Sequence, residues 1–250
     1  MNQPVQKDER AIDCFLLAGR LMMESGAETY RVEDTMLRMA KSQNMEDAQS
    51  YVTPTGIIFS LGKTQPTRIT SISTRITDLH RIALVNNVSR ELTSNIITLE
   101  QAYDELKKIQ STNYFLPLLL QVLAASMASS CFLLLLKGSL TDCMIAFLAG
   151  GTGHCIVTVV YRETRVKIFS EFFAALIVGI LAFLFVRYGF GQEIDKIIIG
   201  SVMPLVPGLL ITNAVRDMMA GHFIAGMAKG AEAFLTASAI GAGVAVVVAW

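Results

Sequence analysis

The sequence predicts an α-helical membrane protein with five transmembrane helices, preceded by a cytosolic α+β domain of order α-α-β-β-β-α-α. Three observations predict it. Charge divides the chain: residues 1–113 hold 13 basic and 14 acidic side chains, whereas residues 114–250 hold 8 and 7. Hydrophobic side chains make up 52% of the 250 residues, and in the second half they gather in runs near the ~20 residues that a helix needs to cross a bilayer core. The first half instead switches between helical and strand periods, with turn residues separating them. Domains are therefore expected at 1–113 and 114–250.

Each element of the first half has a local reason. Residues 11–24 carry apolar side chains at 12, 15, 16, 22 and 23, a helical stripe, and Ser25-Gly26 supplies the stop. A second helix over 27–42 is acidic early (Glu28, Glu33, Asp34) and basic late (Arg38, Lys41), the order the helix dipole favours. Segments 50–53, 57–61 and 67–73 are rich in Val, Ile, Phe and Thr, with turns at 54–56 and 62–66, and read as strands. Asp78 caps a helix running to about Leu92, and Thr98 with Gln101 forms a capping box for a helix ending near Gln110.

In the second half the spans fall at 115–136, 140–160, 168–186, 194–213 and 231–249. Lys107, Lys108, Arg162, Arg165, Lys167, Arg216 and Lys229 lie on one side of these spans, and Lys137, Arg187 and Lys196 on the other. That bias places the N-terminus in the cytosol and the C-terminus outside, with Tyr188 and Trp250 as outer interfacial anchors. The polar start of the chain carries no signal-peptide pattern, so the first half is expected to stay where it is made.

The fourth span is broken by Pro204 and by Pro207-Gly208. Proline removes a backbone donor and disfavours helix at the residue before it. Counted from Ile194, about 13 residues precede the second proline, roughly 20 Å of helix against a core of ~30 Å. Two readings follow: a continuous helix with a kink, or a discontinuous helix with Pro207 opening a second half whose N–H groups face a carboxylate. On that second half Asn213 shares a face with Arg216 and Asp217. Arg216 and Asp217 also fit the cytosolic end of a span, with the arginine snorkelling.

Ionisable groups within or near spans are functional candidates because a charge at mid-bilayer is costly unless paired or hydrated. They are Asp142, Glu171, Glu232 and, deepest, His154 in Gly150-Gly151-Thr152-Gly153-His154. Asp142 can cap its helix, and His154 can be a packing histidine or a proton relay. The glycines here, and Gly226-x-x-x-Gly230 and Ala239-x-x-x-Gly243, suit close helix packing.

Several classes are excluded. A net charge of zero gives no reason to expect nucleic acid. Gly62-Lys63-Thr64 lacks the spacing and the following helix of a phosphate-binding loop. His80 beside Asp78 and Arg81 reads as a solvated face, and no catalytic triad is visible. Cys14, Cys131, Cys143 and Cys155 form no CxxC pair and read as small hydrophobes, so no metal and no cofactor is expected.

Four stretches then identify a resemblance: ESGAETYRVEDT at 24–35, VTPTGIIFSL at 52–61, DLHRIALVNNVSREL at 78–92 and PGLLITNAVRD at 207–217. Together they resemble the bacterial threonine/serine exporter family, from about residue 10 to the C-terminus. The resemblance implies a multi-pass protein of the bacterial inner membrane with a second membrane module, either fused or supplied by a small membrane subunit. A chain ending at Trp250, directly after its fifth span, looks like the large subunit of a split pair. Some split members are similar to dicarboxylate exporters.

The expected function is secondary export of a small carboxylate-bearing metabolite, threonine or serine first, driven by proton-motive force. Pro207, Gly208, Thr212, Asn213, Arg216 and Asp217 would bind the substrate, and His154, Glu171 and Glu232 are the candidates for proton coupling. For a zwitterion, Glu232 or Glu171 would face the ammonium; for a dicarboxylate of the succinate type, His154 or Arg216 would face the second carboxylate. Other readings are a membrane-anchored regulatory or enzymatic domain, centred on Tyr30 and Arg31, and a channel formed by five spans as a homo-oligomer. Expected partners are the small subunit, the small-molecule substrate and the lipid bilayer.

Overall fold

A computed structural model of the chain describes residues 3–62 and 67–249. Trp250 and most of the 62–66 turn, with its Lys63-Thr64, lie outside the described residues. The chain is mostly helical with one three-stranded antiparallel sheet, and it divides into two compact units, Met1–Tyr114 with Leu209–Gly230, and Phe115–Gly208 with Ala231–Trp250.

In the first unit, α1 (Gln3–Glu24) starts earlier than its apolar stripe suggests. It ends as Ser25-Gly26 predicts: Gly26 is left-handed at φ 84°, and the Ala27 N–H returns to the Met22 carbonyl at 3.0 Å. That pairing satisfies a terminal carbonyl that the helix leaves open. Helix α2 (Thr29–Ser42) then runs back along α1. Strands β1 (Ala48–Thr53), β2 (Gly56–Leu61) and β3 (Arg68–Ser71) pair in sequence order, with Val52 opposite Ile57 and Ile57 opposite Thr70. Alternation turns Ile57 and Phe59 inward, and Phe59 meets Phe15 edge-on at 5.9 Å. Leu21, Met22, Met36, Leu92 and Leu106 complete this core.

Helix α3 (Leu79–Thr93) is capped by Asp78, whose carboxylate accepts the Arg81 N–H at 2.9 Å. Helix α4 (Leu99–Ser111) begins with both bonds of the Thr98–Gln101 capping box. Cys14 is buried, and burial, reinforced by the charge of Glu100, pushes its thiol up to about 12. It is a packing residue, as expected.

The second unit holds α5 (Leu118–Leu135), α6 (Leu140–Thr164), α7 (Lys167–Arg187) and α8 (Ile194–Val202). Small residues let these helices approach. A Cβ on Gly150 would fall 2.5 Å from that of Ser129, and one on Gly243 would fall 2.5 Å from the Phe172 carbonyl oxygen. The buried Asp142 carboxylate accepts the Gln192 and Glu193 N–H groups at 2.9 and 3.2 Å, so it organises the turn before α8.

Among the described residues four helices, α5, α6, α7 and α10 (Phe223–Val248), are long and apolar enough to cross a membrane. The expected span at 194–213 is not one rod: α8 gives way to a 3₁₀ turn at Met203–Leu205, Val206 is extended, and α9 (Gly208–Met219) follows at a bend of 59°. Counting this bent pair as one span gives five. Pro207 stands just before the second half, which opens at Gly208, rather than at its first position. Helix α10 starts eight residues before the expected 231, because a left-handed Gly221 (φ 89°) turns the chain tightly out of α9.

Candidate functional site

Three of the expected substrate residues meet the loop between α1 and α2, inside the first unit. Asn213, Arg216 and Asp217 share one face of α9, as their spacing requires. Asn213 Nδ2 donates to the Gly26 carbonyl at 2.9 Å, and Arg216 Nη1 donates to Glu28 Oε1 at 2.7 Å. Asp217 Oδ1 accepts the Tyr30 N–H at 3.3 Å, while its Oδ2 accepts Lys229 Nζ at 2.7 Å. Lys229 also donates to the Ala27 carbonyl at 3.1 Å.

The chemistry of helix ends explains this pattern. A helix leaves its first N–H groups and last carbonyls without partners. Glu28 holds the N-cap position of α2 yet makes no side-chain cap bond. Asp217 takes that part, bringing a carboxylate to the positive end of α2. Glu28, released from capping, turns to Arg216. The Gly26 and Ala27 carbonyls, left over where α1 ends, receive Asn213 and Lys229.

Burial sets the stakes. Asp217 is fully buried and Lys229 is 4% exposed, whereas the Arg216 side chain is 57% exposed. A buried ion pair holds only if each charge has further hydrogen bonds, and here each has one to backbone. The close approach of α10 depends on Gly226, where a Cβ would lie 2.8 Å from the Ala214 carbonyl oxygen. Burial pushes the Glu28 carboxyl up, but the hydrogen bonds from its own backbone and from Arg216, with the charges of Arg31 and Arg216, hold it below the usual carboxylate range. Nearby, His222 Nδ1 lies 3.5 Å from Glu33, whose carboxyl burial raises against the charge of His222. The hydroxyls of Ser25 and Thr29, in the same loop, are buried without a hydrogen-bond partner among the described residues.

The remaining candidates lie elsewhere. Pro207 marks the break, and beside Gly208 an added Cβ would meet nothing within 4 Å. Thr212 lies on α9 with them. In the second unit Glu171 and Glu232 converge on one cation, with Lys167 Nζ 3.9 Å from the first and 3.4 Å from the second. Glu171 is 5% exposed, and its Oε2 has no partner among the described residues. His154 likewise leaves a buried Nε2 without one. No group of three or more His, Cys, Asp or Glu able to hold a metal occurs among the described residues.

Sequence reasoning missed the partners: Lys229 read as an interfacial charge, and Glu28 as a helix-dipole residue. The signal for Lys229 was present, since an ammonium inside an otherwise apolar helix demands a counter-charge.

The family described as "Putative threonine/serine exporter" matches residues 13–250. A Mycobacterium tuberculosis protein named "Probable threonine/serine exporter" is 23% identical over 239 residues, covering 92% of this chain. The chain spans only 44% of that relative's length. An Escherichia coli protein named "Probable succinate transporter subunit YjjP" is 25% identical, over 95% of this chain and 94% of its own. A Klebsiella aerogenes protein of the same name is 23% identical, over 93% and 91%. No solved structure matches.

Proposed function

This chain belongs to the threonine/serine exporter family, and from that premise we propose that it is the large subunit of a two-component exporter in the bacterial inner membrane. It moves a small carboxylate-bearing metabolite outward as a secondary transporter, with threonine or serine as first cargo, and does no covalent chemistry. It has five spans, the fourth being the bent pair, with the N-terminus cytosolic and the C-terminus outside. Its partner is a small membrane subunit of the same family.

The observation that carries this reading is the interrupted fourth segment with its polar second half. A half-helix that opens within an apolar segment offers N–H groups to an anion where water does not compete. Arg216 is the exposed member of the α9 contacts, so an arriving carboxylate shares it with Glu28. The orphaned Ser25 and Thr29 hydroxyls support a loop that changes partners during the cycle, since burying an unmade hydrogen bond costs about 1–3 kcal/mol. Glu171, with one unpartnered oxygen beside Lys167 and Glu232, suits the proton-coupling role; His154 is the second candidate.

The test is release of labelled cargo from proteoliposomes holding this chain and its small partner. Release of threonine or serine faster than from empty vesicles is expected; release of neither these nor succinate overturns the reading. Succinate without threonine selects the dicarboxylate reading, which the succinate-named relatives favour because the chain matches them nearly end to end. Pro207→Ala should lower export while the protein still inserts, and Asn213→Ala should lower it more than Lys196→Ala. Equal effects of the last two would remove Asn213 from the site.

A further inference from the structure

A second polar site lies in the first unit, in the cleft where α2 packs beside α3. Arg31, Thr35 and Arg38 recur at helical spacing on α2, and Asn86, Ser89 and Arg90 do so on α3. Two adjoining hollows, of about 110 and about 370 Å³, share Arg31, Asn86 and Arg90 as walls. The larger has an apolar side formed by Leu79, Ile82 and Ala83. Its size falls in the range of small-molecule sites, about 300–1,000 Å³.

Three arginines line the smaller hollow and two of them also line the larger, and among the described residues no carboxylate lines either. Acids lie just outside: Arg38 pairs with Asp34, and Arg31 stands 3.7 Å from Glu28. For Arg90 there is no acidic partner among the described residues. Ser89 is 7% exposed, lines the smaller hollow, and makes no side-chain hydrogen bond among the described residues, although a helical serine can bond to its own preceding turn. A hydroxyl left open on a largely buried serine, beside three arginines and a carboxamide, is a donor set for an anion's oxygens.

We infer that this cleft binds a small molecule carrying two negative charges, as paired carboxylates or a phosphate group. The arginine forks grip its oxygens and the Ser89 hydroxyl and Asn86 amide complete the set, while the absence of a lining carboxylate selects against a zwitterion's ammonium. The site is separate from the α9 contacts and does not rest on the transport reading. It is adjacent to them in charge: an anion that draws Arg31 takes it from Glu28, the partner of Arg216.

The test uses the full-length protein in detergent, titrated calorimetrically with succinate, with inorganic phosphate and with threonine. Succinate or phosphate binds, less tightly as salt rises, and whichever binds more tightly names the source. Arg90→Gln weakens that binding roughly tenfold or more, the loss of one charge-assisted hydrogen bond. Ser89→Ala weakens it in the same direction, and Lys41→Gln, which removes a charge elsewhere on α2, leaves it unchanged. Binding of threonine alone, binding of none of the three, or equal affinities for Arg90→Gln and Lys41→Gln overturns the inference.

Discussion

Asp217 and Lys229 show at the residue scale why a charge can sit in an apolar segment. Each is enclosed, and each has the other and one backbone group to satisfy it. Removing one partner leaves the other buried and alone, which costs about 3–5 kcal/mol; replacing both with apolar residues of similar volume is often neutral. Asp217→Asn should therefore lower the melting temperature more than the double change Asp217→Leu with Lys229→Met, and the reverse order would show that the pair is not a closed unit. Glu28 makes a pH-dependent contribution with a defined sign. Its folded carboxyl lies below the usual range, so its stabilisation is complete above the unfolded value and is lost as pH falls through the folded one. Protection of the α1–α2 loop from amide exchange should persist into the acid range where ordinary carboxylates have already protonated, and Glu28→Gln should abolish that dependence.

Elements are shaped here by what their ends and their small residues permit. Helix α2 takes its cap from α9, 187 residues away, rather than from its own Glu28. Helices α7 and α10 meet where Gly243 faces the backbone of Phe172 and Leu176. A carbonyl oxygen 2.5 Å from an added Cβ does not yield as a side-chain tip would. Gly243→Ala should therefore cost about 1–3 kcal/mol, the usual penalty of overpacking, read as a lower melting temperature in detergent. Gly241→Ala on the same helix, where an added Cβ would meet nothing within 4 Å, should cost little.

At the scale of the whole molecule the proposed topology makes the next prediction. With the N-terminus inside, a cysteine at Lys196 (K196C), in a background cleared of the four native thiols, should react in intact cells with a membrane-impermeant maleimide. One at Arg165 (R165C) should react only after the membrane is opened. The opposite pattern would invert the topology and with it the direction of export. Chain connectivity also divides unevenly: residues 209–230, part of the apolar half by sequence, pack with the N-terminal residues in one compact unit. The polar side chains Asn213, Arg216, Asp217 and Lys229 mark this stretch in the sequence, but their spacing does not say which unit they join.

Much of the secondary structure is legible in the sequence, because it rests on chemistry a few residues long. Gly26 ends α1, Asp78 and Thr98 begin α3 and α4, alternation marks the strands, and Pro204 with Pro207 interrupts the fourth apolar segment. Asn213, Arg216 and Asp217 were legible as one polar face, and helical period alone puts them there. Their partners were not. The carbonyls of Gly26 and Ala27 and the N–H of Tyr30 carry no side-chain signature, and Glu28 looks like any acidic residue at a helix start. Only folding across some 190 residues of chain brings α9 and Lys229 to those groups, because a buried charge selects whichever unsatisfied dipoles the packing leaves within reach.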